Sequence, residues 1–141
     1  MLRIDLIGRS QMDTEFRQLD ARERGLLEKL LEIEFPGRNE LRTQVSSVSV
    51  ERTGEDGTLI LRCSSGLPSP IARTPAAEGW CKDTDGMFIA VLLHLKDGFI
   101  SMLEIFKHDG SSIISPPSAT DMMLLLPEHP GRKLGEVADL E

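Results

Sequence analysis

Hydrophobic residues are densest in residues 87–107, MFIAVLLHLKDGFISMLEIFK, on both sides of Asp97-Gly98. Both arms are rich in β-branched and aromatic residues. Asp-Gly between two apolar runs favours a two-residue type I′ turn, because that turn needs positive φ at both positions. The pattern therefore predicts a β-hairpin in which Leu95 pairs with Ile100.

A regular ladder through this hairpin assigns every side chain to a face of the sheet. Glu104 lies opposite Val91, while His94 points to the other face with Lys107, so His94 and Glu104 are not expected to meet. Apolar residues occupy both faces. This is typical of central strands that are covered on both sides by helix, by loop or by a second subunit.

Leucines between residues 26 and 31 follow the helical period, with most charged residues on the opposite side. This spacing predicts an amphipathic helix that covers one face of the sheet. Asp20 and Glu23 match a capping box, which starts the helix at Ala21, and Pro36 ends it near residue 35.

The hydrophobic period changes to two after Val45. Asp-Gly marks four corners, at Asp56-Gly57, Asp85-Gly86, Asp97-Gly98 and Asp109-Gly110. We expect an α+β fold: an antiparallel meander of about four to six strands with one main helix packed on a face. Residues 1–126 form the domain, with a helix at about 21–35 and strands within 45–114, and residues 127–141 form a polar tail. Residues 1–8 are a candidate strand, and helix and strand are equally supported for 120–126.

The composition bears on partners and location. A net charge of −7 argues against nucleic acid, whose binding needs basic residues, and the absence of Tyr leaves few aromatic platforms. Cys63 and Cys81 lack the pattern of a zinc site. No apolar run is long enough for a signal peptide or a membrane span. We therefore expect a cytoplasmic protein with reduced cysteines, no membrane partner and no metal.

Few motifs suggest chemistry. Asp83-x-Asp85-Gly86 resembles the start of a calcium loop, but apolar residues and a histidine occupy the later ligand positions. Neither a P-loop nor a G-x-S-x-G elbow is present, so we expect no catalytic residue and no cofactor. Glu104 is the candidate buried carboxylate. Desolvation there would suit a general acid, although a structural ion pair is favoured.

One family resemblance rests on residues 19–31, on Asp97-Gly98, and on Leu103-Glu104-Ile105 followed by Asp109-Gly110-Ser111. These motifs resemble DUF6984, a family of small uncharacterised bacterial proteins, over about residues 17–115. The resemblance implies a compact α+β domain. It supplies no catalytic residues.

The functional expectation is a non-enzymatic interaction protein. A small acidic domain resembles the immunity proteins that neutralise toxins, and its surface would complement a basic toxin. The residues expected to bind this partner are turn carboxylates, namely Glu55, Asp56, Asp83, Asp85, Asp97 and Asp109. The alternative is an enzyme or sensor that binds a small molecule or peptide in a cleft beside Glu104. A homodimer is compatible with either of these two functional hypotheses.

Overall fold

The computed structural model describes residues 16–53 and 56–125. In chain order the elements are β1 (Arg17–Gln18), α1 (Ala21–Leu30), α2 (Arg38–Val45), β2 (Val48–Arg52), β3 (Leu59–Cys63), β4 (Ala77–Lys82), β5 (Phe88–Lys96), β6 (Phe99–Lys107), a 3₁₀ turn (Ala119–Asp121) and β7 (Met123–Leu124). The expected strand at 1–8 and the tail at 127–141 lie outside the described residues.

The strands form one antiparallel sheet in the order β1-β2-β3-β6-β5-β4-β7. Successive strands are neighbours in two runs, β1 to β3 and β4 to β6, and β3 joins these runs by pairing with β6. The α+β prediction is confirmed. The sheet has seven strands rather than four to six because β1 and β7 add a two-residue strand at each edge.

Helix α1 begins as predicted. Asp20 accepts a hydrogen bond from the Glu23 backbone N–H, and the Glu23 side chain accepts one from the Asp20 N–H, which completes the capping box. The helix ends at Leu30, earlier than expected from Pro36. The next carbonyl, that of Leu31, accepts a hydrogen bond from the Arg38 guanidinium, so α2 satisfies a backbone group at the end of α1.

The turn of the central hairpin is also confirmed. Asp97 has a φ of 54° and Gly98 a φ of 87°, the two positive values that the type I′ turn requires. Gly98 is further constrained by the loop before β4. A Cβ at this position would lie 2.6 Å from the Pro68 Cβ and 2.8 Å from the Ser69 carbonyl oxygen.

Beyond the turn, the predicted register is wrong. Leu95 pairs with Ile100 as expected, but a β-bulge follows, and its extra residue is Ser101. His94 then faces Met102 instead of Ser101. Every later residue of β6 is moved by one position, which transfers it to the opposite face of the sheet.

A buried glutamine on α2 stabilises the bulge. The Gln44 Oε1 accepts a hydrogen bond from the Ile100 backbone N–H at 2.9 Å, and its Nε2 donates to the Leu67 and Gly98 carbonyls at 2.8 and 3.0 Å. The Ile100 N–H is thus bonded to a side chain, and β3 pairs with β6 through Leu59 and Ile60. Neither the hairpin sequence nor its turn contains this information.

The register gives the sheet two different faces. Both helices pack on one face, where side chains such as Val91, Leu93 and Leu103 are fully buried. The alternating side chains form what we call the open face: Gln18, Ser49, Glu51, Ile60, Arg62, Glu78, Trp80, Lys82, Phe88, Ala90, Leu92, His94, Lys96, Phe99, Met102, Glu104, Phe106 and Met123. No helix within residues 16–53 and 56–125 covers the open face.

Candidate functional site

Four of the predicted partner-binding carboxylates lie at one end of the sheet. The turn between β4 and β5 carries Asp83 and Asp85, and Asp109 follows the end of β6. Asp56 precedes β3, whose start is joined to the same end of β6 because the Thr58 Oγ1 donates to the Ile105 carbonyl. We call Asp56, Asp83, Asp85 and Asp109 the acidic end. Asp97 lies at the opposite end of the sheet, and Glu55 is outside the described residues.

Asp83 and Asp85 share a buried ammonium group. The Lys107 Nζ lies 2.9 Å from the Asp83 Oδ2 and 2.6 Å from the Asp85 Oδ2. The Lys107 side chain is 1% exposed and that of Asp83 is fully buried. The regular ladder predicted from the sequence placed Lys107 on the same face as His94. The bulge moves Lys107 to the face that the helices cover.

Backbone donors complete the environment of Asp83. Its carboxylate accepts hydrogen bonds from the N–H groups of Thr84, Ile114 and Ser115. Burial acts to raise the pKa of Asp83, but these donors and Lys107 outweigh it and lower the pKa well below its usual range. This carboxylate ties the β4–β5 turn to the segment after β6 and is not presented to a partner.

The motif that resembles the start of a calcium loop, Asp83-x-Asp85-Gly86, therefore binds the ammonium group of Lys107 through its two carboxylates. The hydrogen bond from this ammonium group to Asp85 raises the pKa of Lys107, and the same bond lowers the pKa of Asp85. In the described part of the chain, no cluster of three or more His, Cys, Asp or Glu side chains could hold a metal ion.

The other carboxylates of the acidic end reach the surface. Asp85 retains 42% side-chain exposure despite its contact with Lys107. Asp109 is exposed, and the Ser111 hydroxyl and backbone N–H both donate to it, which lowers its pKa. Asp56 is partly exposed. Three surface carboxylates thus remain at this end.

The bulge brings His94 and Glu104 into contact, which the regular ladder predicted from the sequence excluded. The His94 Nε2 lies 2.8 Å from the Glu104 Oε1, so the prediction that these residues point to opposite faces is wrong. Glu104 faces Leu92 rather than Val91, and 41% of its side chain is exposed. An ionised carboxylate can only accept, so in that state the His94 Nε2 donates this hydrogen bond.

The groove that the structure contains lies on the helical side of the molecule and not beside Glu104. A groove between α1 and α2 is lined by Arg24, Glu28, Leu31, Glu32, Arg42, Val45 and Ser46. These residues belong to the two helices or lie within two residues of their C-terminal ends, whereas Glu104 lies on the open face of the sheet. The groove therefore does not provide the cleft that was expected beside Glu104.

The two cysteines are poor candidates for a nucleophile. Burial raises the pKa of both the Cys63 and the Cys81 thiols, so the thiolate form is disfavoured at neutral pH. Both are free thiols. Burial also raises the pKa of the Glu78 carboxyl on the open face, an effect that its neighbour Trp80 partly offsets.

No helix in the described residues is long and apolar enough to cross a membrane. Comparison with curated proteins and with solved structures gives no match. A family described as a domain of unknown function, DUF6984, matches residues 16–117, which include both helices and strands β1 to β6. On that match, which spans most of the chain, the protein belongs to the DUF6984 family.

Proposed function

We propose that this chain is a non-enzymatic protein-binding module of the immunity type, which neutralises a cationic toxin through its acidic end. The observation that supports this proposal most is the convergence of Asp56, Asp85 and Asp109 on one end of the sheet. Clustered carboxylates increase the association rate of a positively charged partner and orient it during encounter.

Two of the surface carboxylates of the acidic end, Asp85 and Asp109, are held in place by hydrogen bonds within the chain. The Asp109 carboxylate accepts two hydrogen bonds from Ser111, and Asp85 accepts one from the Met87 backbone N–H. Fixed carboxylates lose less conformational freedom on binding than flexible ones. Lys107 is buried, so its positive charge is not offered at the surface.

Charge reversal tests this proposal. The purified products of the genes adjacent to the one that encodes this chain serve as probes, and association is followed by surface plasmon resonance at several salt concentrations. We expect a basic product to bind, and Asp56→Lys combined with Asp109→Lys to slow association about tenfold or more and to reduce its dependence on salt.

The matched control combines Glu28→Lys with Glu34→Lys. Both residues are exposed, and the two changes alter the net charge by the same amount away from the acidic end. The control should associate nearly as fast as the parent. Equal slowing by the two double variants would mean that only net charge matters, which would contradict a defined acidic binding surface.

A second candidate is an enzyme or sensor that binds a small molecule or peptide beside Glu104. The hydrogen bond between His94 and Glu104 favours it, because a neutral imidazole held by a carboxylate offers its Nδ1 as a base. A library of dipeptides and tripeptides can be screened by thermal shift. Ligands that stabilise the parent and not Glu104→Gln would support this site, and a screen without such ligands would oppose it.

A further inference from the structure

The open face is unusually apolar for a sheet face without a covering helix. Leu92 and Met102 lie at its centre on β5 and β6, Ile60 lies beside them, and 36% of Phe106 is exposed. The uncovered face of an antiparallel sheet ordinarily carries polar residues. Apolar side chains grouped on a face that no helix covers make this face a candidate docking surface.

An aromatic group extends this apolar area across β4. The rings of Trp80 and Phe88 meet edge to face at 5.9 Å between centroids, and the Trp80 ring also contacts His108 at 5.8 Å. The Trp80 Nε1 is buried and lies beside the Glu78 carboxyl, whose pKa the indole lowers. Aromatic side chains with such a polar atom are enriched at protein interfaces.

The charges of the open face indicate which partner suits it. Three carboxylates and three basic side chains belong to it, namely Glu51, Glu78, Glu104, Arg62, Lys82 and Lys96. The face is therefore close to neutral, although the whole chain carries −7. A cationic partner would gain little attraction here. Two copies of this acidic chain would repel each other least when these faces meet.

The mixed charges also suit a two-fold axis. In a two-fold interface the same residues meet in reciprocal pairs, so a face with both signs can match each carboxylate with a cation of the other copy. A face with charges of one sign could not do so.

The size of the open face is adequate for a dimer. Strands β5 and β6 are nine residues long, which is about 30 Å. Across the sheet, the five adjacent strands β2-β3-β6-β5-β4 span about 20 Å at the usual spacing between strands. The projected area is on the order of 500 Å², and side-chain relief increases the accessible area. Specific interfaces bury about 600 to 1,000 Å² on each partner.

We propose that two copies of this chain dimerise by packing their open faces together as a two-sheet sandwich. Leu92 and Met102 form the centre, and the His94–Glu104 hydrogen bonds lie beside it. The acidic end lies at the ends of the strands, beyond the sandwiched faces, so each copy in the dimer retains its own acidic end. This proposal does not depend on the proposed function.

The test measures the mass of the full chain by analytical ultracentrifugation over a wide concentration range. We expect the parent to approach twice the chain mass of 15.6 kDa. Met102→Lys should raise the dimer Kd about a hundredfold or more, since Met102 faces Ile60 and His94 rather than a carboxylate, and each dimer would bury two unpaired ammonium groups. Leu92→Asp, which adds a carboxylate between Glu78 and Glu104, serves if Met102→Lys does not fold, as judged by circular dichroism.

The matched control is Leu67→Lys. Leu67 is 72% exposed in the loop before β4, so its replacement adds the same charge away from the open face and should leave the Kd unchanged. A parent that stays monomeric would overturn the proposal and leave the face to another segment or partner. A folded Met102→Lys that dimerises like the parent would also overturn it. Asp56→Lys with Asp109→Lys should still dimerise, which separates this result from a failure of the acidic-end proposal.

Discussion

Replacing Gln44 by leucine tests the contact that sets the register of the central hairpin. Leucine has a similar volume and removes the whole amide, which is fully buried. The Ile100 N–H, a buried donor, then loses its acceptor at a cost of about 1 to 3 kcal/mol. The Leu67 and Gly98 carbonyls also lose a donor, but Gly98 still accepts from the Ser69 N–H. We expect a total loss of about 2 to 4 kcal/mol.

This loss of stability should be measurable as a fall in the melting temperature. For the roughly 110 described residues, the unfolding entropy is about 0.23 kcal/mol/K, so the midpoint should fall by about 9 to 17 °C. Differential scanning calorimetry measures the shift. Amide hydrogen exchange at Ile100 should also become faster than at neighbouring strand residues, because this N–H is no longer bonded.

The control for this prediction is Asn39→Leu, an amide-to-leucine change at an exposed position of the same helix. It should shift the midpoint by no more than about 2 °C, since surface changes are usually within about 0.5 kcal/mol. Equal midpoints for the two variants, together with unchanged exchange at Ile100, would refute the role of Gln44 in stabilising the bulge.

Three further predictions concern stability. Gly98→Ala should lower the melting temperature more than Gly86→Ala, because both glycines have positive φ but only a Cβ at Gly98 meets other atoms; equal losses would contradict the contact with the β3–β4 loop. Leu30→Ala should cost about 2 to 5 kcal/mol in chemical denaturation, whereas the exposed Glu28→Ala should cost little, and a loss below about 0.5 kcal/mol would place Leu30 outside the core. The lowered pKa values of Asp83 and Asp85 mean that their contribution is complete above the ordinary carboxyl range and is lost as pH falls below it. The raised pKa of Lys107 means that its contribution to stability is complete below the pKa of the unfolded state and is lost as pH rises through the pKa of the folded state. Lys107→Met should therefore make the free energy of unfolding depend less on pH in both the acidic and the alkaline range. A pH dependence parallel to that of the parent would contradict the ionic cluster.

Features that depend on neighbouring residues could be predicted from the sequence. The capping box of Asp20 and Glu23 needs only a four-residue segment, and the type I′ turn needs only Asp97 and Gly98. The change of hydrophobic period to two after Val45 also predicted a strand, and β2 begins at Val48, with Val48 and Val50 buried. In each case the physical cause lies within a few residues of the feature.

The features that the sequence did not predict depend on contacts between distant segments. The bulge involves Gln44, which lies 56 residues before Ile100. Without the bulge, neither the contact between His94 and Glu104 nor the burial of Lys107 could be inferred. A lysine at the end of a strand ordinarily indicates a solvated edge, and only the folded turn brings Asp83 close enough to neutralise it.

The most direct test of the proposed function is a growth assay. Each gene adjacent to the one that encodes this chain is expressed alone, and then together with the parent, with Asp56→Lys and Asp109→Lys combined, or with Glu28→Lys and Glu34→Lys combined. We predict that one adjacent product is basic and stops growth, that the parent and the helix-surface control restore growth, and that the acidic-end variant does not. Restoration by the acidic-end variant to the level of the control, or the absence of any toxic product that the parent neutralises, would contradict the proposal.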